Sequence, residues 1–261
     1  MHNKKEKKSS LFIIIVYALM VAVVFILFSA IVVEVLYGIE LAASVFILVY
    51  ICRNKYKTLP QKILYFNLYS MAINIQMTTY LLSGLQNGKQ LPLISFLAHF
   101  ESQNTFIVGI ILIPLILALT FLLVIIGVRS ISENSARFAL DTMSQKIFNI
   151  DKKISNHEIT KEGAETIKKK LQSEIDFFAT MDGAARFFAC NTKIMLIMAL
   201  IDIAGGFGIG YFIQGKTLLD ALNLAITYTT GTVVLYCVPL IIVAIASVYC
   251  ITNKKSDHYS I

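Results

Sequence analysis

The chain has no tryptophan, only four prolines and four cysteines, and few charged residues. Charged residues make up 15% of its 261 positions, against about 25% in an ordinary soluble domain. No two cysteines form a Cys-x-x-Cys pair, which argues against a disulfide framework and against a zinc site. Apolar residues fill 57% of the chain and come in long blocks. The composition therefore argues against a soluble enzyme or a nucleic-acid-binding domain and indicates an integral membrane protein.

Several apolar blocks are long enough to cross a membrane, which predicts an all-α polytopic protein with about six transmembrane helices. The fourth block contains Pro114, which predicts a kink. The sixth is too long for one straight crossing, and we expect a broken or amphipathic lead-in around Thr229–Thr232. The predicted crossings are Leu11–Val33, Leu36–Cys52, Ile63–Leu82, Phe106–Val128, Ile194–Ile213 and Ala221–Ile251.

The basic residues predict the orientation of these crossings. Of the 23 Lys and Arg residues, only Lys89 and Lys216 fall on one side of the predicted membrane, and basic loops stay in the cytoplasm. Both termini are therefore expected in the cytoplasm, and spaced apolar residues predict a helix over His157–Phe178 in the longest loop. The expected divisions are a basic N-terminus (1–10), crossings one to four (11–128), a helical cytoplasmic loop (129–193), crossings five and six (194–251) and a cytoplasmic tail (252–261).

Three carboxylates fall inside or beside the predicted crossings, where ionisable groups are costly. Glu34 and Glu40 flank the first predicted turn, and Glu34 is either functional or a solvated loop carboxylate at the outer interface. Asp202 lies near the centre of the fifth crossing. A carboxylate there suits a proton-binding site, unless a neighbouring hydroxyl or amide caps it.

The third predicted crossing carries a row of polar residues on one helical face. Such a face either lines an aqueous path or forms hydrogen bonds to other helices, and the second outcome is the more common. The row consists of Asn67, Ser70, Asn74 and Thr78.

A glycine-rich stretch follows Asp202. It includes Gly205, Gly206 and Gly210, and no strand precedes it and no Lys-Ser/Thr follows it, which argues against a phosphate-binding loop. The Gly-x-x-x-Gly spacing of the last two predicts close helix packing instead. The sequence contains no His-Glu-x-x-His, Gly-x-Ser-x-Gly or Walker motif, and its histidines are scattered. It thus gives no support for an enzyme, a cofactor or a metal site.

The long polar loop carries the most specific pattern in the chain. It reads SARFALD over Ser135–Asp141, KIFNID over Lys146–Asp151 and DFFATMDGAARF over Asp176–Phe187, and a Gly-Gly pair follows at 205–206. These segments resemble, in order and spacing, the bacterial type III export-gate family of flagella and virulence injectisomes (FHIPEP). The resemblance covers the transmembrane region only, without the last two helices and the large cytosolic domain typical of that family.

The resemblance implies an inner-membrane subunit that assembles as a homo-oligomeric ring with other export-apparatus subunits. Such a gate uses the proton-motive force to export unfolded secreted proteins, is surrounded by membrane lipid, and needs no cofactor and no nucleic acid. By position, Asp182 matches the family carboxylate associated with proton coupling. The other matched positions are Arg137, Asp141, Lys146, Asp151 and Arg186 in the loop, Glu34 at the family's acidic position and Asn74 in its polar third helix.

The chain also departs from the family pattern inside the membrane. Thr232 stands in place of a second family carboxylate, and Ser70 stands in place of an arginine. Asp202 is acidic where asparagine is usual, and it is a candidate to compensate. Three functions follow as hypotheses: an export-gate subunit, a degenerate or split-gene remnant of one, or a permease subunit for a small solute.

Overall fold

The computed structural model describes residues 29–52, 58–88, 92–100 and 105–259, and every regular element among them is helical. Two short π-helical stretches occur: Leu122–Ser130 joins the fourth helix to the fifth, and Ile209–Ile213 ends the sixth. The α-helices are α1 (Ala30–Cys52), α2 (Leu59–Asn87), α3 (Pro92–Phe100), α4 (Thr105–Phe121), α5 (Ile131–Ser155), α6 (Lys161–Gly208) and α7 (Leu218–Tyr259).

Four helical segments among the described residues are long and apolar enough to cross a membrane. The prediction of an all-α polytopic membrane protein is thereby confirmed. The helix α2 contains the predicted third crossing and is 29 residues long, but its polar residues keep it out of this group. Most of the predicted first crossing lies outside the described residues. The four segments are Ala30–Ile51, Phe106–Ser155, Lys161–Ile213 and Leu218–Asn253.

The helix α7 is the centre of the bundle and packs against α1, α3, α4 and α6. Its inward residues include Val233 and Leu240, which are fully buried. Of the two expected forms of the lead-in, broken or amphipathic, the broken one is wrong, because α7 runs through Thr229–Thr232 without interruption. The Thr230 hydroxyl donates to the Ile226 carbonyl of the same helix at 2.7 Å. A hydroxyl bonded to a carbonyl of its own helix in this way does not end the helix.

The predicted position of the break between the first and second crossings, at residues 34–35, is also wrong. The helix α1 begins at Ala30 and continues through Glu34 and Glu40. No glycine or proline stands between Val33 and Leu36 to end a helix. The two glutamates therefore do not flank a turn, since Glu34 lies in the second turn of α1 and Glu40 near its middle.

The segment predicted as a cytoplasmic loop is a long helical hairpin of α5 and the first half of α6. Its turn occupies residues 156–160, where His157 has a left-handed φ of 56°. Thr160 Oγ1 accepts a hydrogen bond from the Gly163 amide at 3.1 Å and caps α6. The helix predicted to start at His157 therefore starts at Lys161 instead. At the other end, the fourth crossing does not end at Val128 but continues into α5.

Small residues bring α6 and α7 into close contact. A Cβ atom on Gly206 would lie 3.2 Å from Ala225 Cα, and one on Gly210 would lie 3.1 Å from Ala221 Cα. A Cβ on Gly205 would instead meet a leucine side chain of α2 at 2.7 Å. This is the close backbone approach that small residues permit between membrane helices.

Candidate functional site

Four charged side chains form a continuous row across the base of the hairpin. Arg186 Nε donates to Asp182 Oδ2 at 3.0 Å, one turn apart on α6. Arg186 also approaches Glu133 of α5, with 4.0 Å between Nη2 and Oε1. Arg137 Nη2 donates to the same Glu133 oxygen at 2.6 Å. We call Asp182, Arg186, Glu133 and Arg137 the charged row.

The two carboxylate oxygens of Asp182 have different surroundings. Oδ2 accepts the hydrogen bond from Arg186, whereas Oδ1 is buried and has no hydrogen-bond partner among the described residues. The Asp182 side chain is 18% exposed, and its neighbours Met181 and Ala185 are fully buried. A proton arriving at the free oxygen would remove the negative charge that holds Arg186, and charge-assisted hydrogen bonds depend on that charge.

The other charged residues of the family-like segments lie outside the charged row. Asp151 Oδ1 accepts from Lys168 Nζ at 2.7 Å, near the tip of the hairpin. Asp141 is exposed on α5 about one turn beyond Arg137, and Lys146 is partly buried farther along the same helix. The structure therefore brings together three of the six charged residues that the resemblance singles out in the hairpin.

A second polar cluster is buried between the membrane-spanning helices. Asp202 of α6 is fully buried, and its Oδ2 accepts from Thr232 Oγ1 at 2.9 Å and from the Tyr236 hydroxyl at 3.0 Å. The Tyr236 hydroxyl also lies 2.8 Å from Thr78 Oγ1 of α2. We call Asp202, Thr232, Tyr236 and Thr78 the buried network. Oδ1 of Asp202 has no hydrogen-bond partner among the described residues.

The polar face of α2 is buried along its length, and its two ends differ from its middle. At one end Asn67 Oδ1 accepts from Asn191 Nδ2 of α6 at 3.2 Å, and at the other Thr78 joins the buried network. In the middle, the Ser70 hydroxyl and the Asn74 amide nitrogen have no partner in the described part of the chain. The ends thus form helix–helix hydrogen bonds, and the middle does not.

The two glutamates of α1 have unlike surroundings. Glu40 is fully buried and interacts with the Ser70 hydroxyl of α2, although neither of its carboxylate oxygens forms a close hydrogen bond to a described residue. Glu34 Oε1 accepts from the backbone amide of Leu93 at 2.9 Å, in the first turn of α3. A carboxylate at a helix N-terminus is favourable, so Glu34 fixes the start of α3.

Sequence reasoning missed two residues of these clusters, Glu133 and Tyr236. Glu133 precedes Arg137 by four residues, a spacing that predicts an ion pair within one helix. The contact between Glu133 and Arg186 joins α5 and α6, and a pattern along one helix cannot predict it. Tyr236 lies in an apolar run, where a tyrosine usually contributes apolar area to the core; its hydroxyl contact with Asp202 depends on how α6 and α7 pack.

The chain is similar over almost its whole length to one protein family and to several curated proteins. The FHIPEP family model matches residues 20–260. The chain is 28% identical over 260 residues to the flagellar biosynthesis protein FlhA of Borreliella burgdorferi, covering 97% of this chain and 37% of that protein. It is 31% identical over 220 residues to FlhA of Caulobacter vibrioides, covering 82% of this chain and 31% of that protein.

A relative with a different name shows the same coverage. Protein MxiA of Shigella flexneri is 23% identical over 254 residues, covering 96% of this chain and 37% of that protein. No solved structure matches the chain. The chain spans about a third of the length of these curated relatives. Because the family model covers nearly all of it, the chain belongs to the FHIPEP family.

Proposed function

We propose that this protein is a membrane subunit of a type III protein export gate, in which the charged row couples proton binding to movement of the hairpin. Membership of the FHIPEP family supports the export role. The observation that carries the coupling role is the geometry of Asp182, with one oxygen held by Arg186 and the other free. A carboxylate of this kind can change its charge without first breaking a closed network.

The charged row offers a physical route from a proton to a helix movement. When Asp182 binds a proton, Arg186 loses its partner at 3.0 Å. The remaining carboxylate within reach is Glu133 of α5, at 4.0 Å. Arg186 then shifts toward α5, which strengthens the contact between the two helices of the hairpin. Loss of the proton restores the pair on α6, so the hairpin has two arrangements.

The orientation and the assembly are part of the same proposal. We place the hairpin and both termini in the cytoplasm of a cell whose inner membrane holds the bundle, because basic segments stay on that side. An outward apolar stripe on the fourth crossing suits contact with lipid or with neighbouring copies in a homo-oligomeric ring, beside other export-apparatus subunits and unfolded secreted proteins as substrates. The stripe consists of Ile107, Ile111, Leu115, Leu122 and Ile126, each more than half exposed.

Secretion of a reporter substrate by the host strain tests the proposal. The variant Asp182→Asn keeps the shape of the side chain and removes its charge change. We expect secretion to fall at least about a hundredfold, the scale of loss when a group that must exchange a proton is removed. The matched control is Glu165→Gln, an exposed carboxylate on the same helix, about 25 Å away along its axis.

The amount of protein in the membrane must be equal in both strains. Normal secretion by Asp182→Asn would contradict the coupling role. Loss of secretion in both variants, with equal protein amounts, would show that the charge of the hairpin matters but not the position of Asp182. Restoration by Asp182→Glu, which returns an ionisable group, is expected if the carboxyl itself is required.

A further inference from the structure

Two carboxylates, Glu40 and Asp202, are fully buried between helices, and neither belongs to an ion pair of the described residues. We propose that Asp202 is a second proton-binding site inside the bundle, reached from Glu40 along the polar face of α2 and through the hydroxyls of Thr78 and Tyr236. This site is separate from the charged row, and the inference does not depend on the export function.

The surroundings of both carboxylates offer hydroxyls but no cation. The groups that face Asp202 are Thr78 from α2 and Thr232 and Tyr236 from α7, of which only Tyr236 is titratable. A buried charge needs a counter-charge, water or a proton. No basic side chain lies against Asp202 among the described residues, so its carboxylate must be stabilised by water or by a bound proton.

The surroundings of Glu40 are similar. It faces the Ser70 hydroxyl of α2, and the rings of Tyr37 of α1 and Tyr69 of α2 lie close to it. The Tyr69 hydroxyl is already used, because it donates to the Leu36 carbonyl at 2.8 Å. Glu40 is therefore surrounded by polar but uncharged groups, which suits a carboxyl that exchanges a proton with water.

Unpaired polar atoms lie along the α2 face from Ser70, which faces Glu40, toward Thr78 of the buried network. Ser70 Oγ, Asn74 Nδ2 and both Glu40 oxygens are buried without a hydrogen-bond partner in the described part of the chain. Buried polar atoms are nearly always hydrogen-bonded, to protein or to ordered water. Two such atoms on α2 and the two Glu40 oxygens on α1 provide the partners that buried water requires.

The spacing along α2 fits a chain of bridging waters. Ser70, Asn74 and Thr78 follow each other at intervals of four residues, so each interval is about 6 Å along the helix axis. A single bridging water can span a gap of that size, and its hydrogen bonds are nearly as favourable as direct ones. The route from Ser70 to Thr78 therefore covers about 12 Å, two turns of α2.

The last part of the route consists of protein hydroxyls in hydrogen-bond contact. Tyr236 donates its proton to Asp202 Oδ2, so its oxygen is left to accept the proton of Thr78 Oγ1. A water beside Thr78 first receives an extra proton from Glu40 through the bridging waters. It passes that proton to Thr78, the original Thr78 proton passes to Tyr236 and the Tyr236 proton passes to Asp202, and the water is left neutral. Three bonds break and three form, both hydroxyls are restored, and Asp202 gains one proton.

In a network that only stabilised the fold, every buried polar atom would have a hydrogen-bond partner, and here some atoms of the described residues have none. Asp202 Oδ1 has no partner among the described residues, and the unpaired Thr229 hydroxyl is buried on the same helix as Thr232 and Tyr236. A carboxyl that gains and loses protons needs an oxygen without a hydrogen-bond partner, and Asp202 Oδ1 is such an atom.

Infrared difference spectroscopy of the full chain in lipid vesicles tests this inference. A step to lower pH should produce the C=O stretching band of a protonated carboxyl, and Asp202→Asn should remove one such band. Asp202→Glu should shift that band without removing it, which separates protonation from a folding defect. Either variant is compared with the unchanged chain at equal helix content.

The rate at which the band grows separates the relay from a simple binding site. Tyr236→Phe and Thr78→Val each break the route, and we expect proton uptake to slow at least about tenfold, a modest loss for an interrupted proton transfer. Thr232→Val is the matched control, because it removes the other hydrogen bond to Oδ2 at 2.9 Å without lying on the route. It should shift the band and leave the rate unchanged.

Two results would overturn the inference. The first is a carboxyl band that is unaffected by Asp202→Asn, or the absence of any such band, either of which would show that Asp202 binds no proton. The second is equal uptake rates in Tyr236→Phe and Thr232→Val, which would show that the hydroxyl route carries none. Glu40→Gln should slow uptake as Thr78→Val does, and an unchanged rate there would remove Glu40 from the route.

Discussion

The charged row and the buried network each contain an aspartate of α6, and the two aspartates differ in their partners and in their exposure to solvent. Asp182 and Asp202 are about 30 Å apart along that helix, close to the thickness of a hydrocarbon core. Asp182 has an arginine partner, and Arg137, at the far end of its row, is 72% exposed. Asp202 has only hydroxyl partners and is fully buried.

The difference shows which region depends on ion pairs and which depends on the packing of buried side chains. Ion pairs at an exposed surface contribute little free energy and are screened by salt. They can therefore be exchanged at little cost, which fits the proposed movement of the hairpin. Polar contacts inside the bundle lie among close-packed helices, so their side chains also carry the stability of the fold.

The largest expected effect on stability is in the buried network. Tyr236→Ala should lower the free energy of unfolding by about 3–5 kcal/mol, because it leaves a cavity at a fully buried ring. The comparison is Phe148→Ala in the hairpin, a ring that is 67% exposed, for which we expect a change within about 0.5 kcal/mol. Denaturant unfolding of the full chain in detergent micelles measures both. Equal losses would remove the distinction between the regions.

A smaller effect is expected where α6 and α7 touch. Gly206→Val should cost about 1–3 kcal/mol, because the new side chain meets the Ala225 backbone. Gly208→Val is the control two residues away, since a Cβ there has nothing within 4 Å. The same unfolding measurement should show no comparable loss for Gly208→Val. If both variants lose the same amount, the close approach of the helices is not what stabilises this end of the bundle.

Loss of the hydrogen bond between α2 and α7 should lower the free energy of unfolding by a still smaller amount. Thr78→Val removes the 2.8 Å contact with Tyr236, and we expect a loss of about 0.6–1.7 kcal/mol, the range for such bonds between membrane helices. Thr142→Val in the hairpin removes a hydroxyl that bonds only to its own helix, and it should be close to neutral. A neutral Thr78→Val would mean that this hydroxyl adds nothing to stability.

The smallest effect is expected for the charged row. Arg137→Gln removes an exposed pair with Glu133 at 2.6 Å, and its cost should be about 0.2–1 kcal/mol in dilute buffer. At about 1 M salt the difference should disappear, because the screening length falls to about 3 Å. A loss above that range, unchanged by salt, would mean that the row holds the hairpin together rather than switching it.

Much of this architecture could be predicted from the sequence because it depends on local composition. The apolar runs predict membrane helices, and the spacing of Gly206 and Gly210 predicts close packing before the partner helix is known. The boundaries were less predictable. Nothing in the residues around Leu122–Ser130 signals that the fourth crossing continues into α5 through a π-helical stretch. The apolar spacing places the start of the next helix at His157, whereas the N-cap preference of threonine favours the observed start after Thr160.

In the candidate sites too, the sequence predicts the contacts within one helix but not those between helices. The resemblance singles out Asp182 and Arg186, whose four-residue spacing places them on one helical face. The contact of Arg186 with Glu133 and that of Tyr236 with Asp202 each join residues from different helices. Such contacts depend on how the helices pack, and a periodic pattern along one helix does not contain that information.

The central claim is that the hairpin with the charged row lies on the cytoplasmic side of the membrane. Its most direct test is Glu158→Cys, at the exposed turn between α5 and α6, in a chain whose own cysteines are replaced by serine. A membrane-impermeant maleimide should label this cysteine in inverted membrane vesicles and leave it unlabelled in cells whose outer membrane has been permeabilised. Labelling in those cells, from the periplasmic side, would contradict the orientation and the export mechanism built on it.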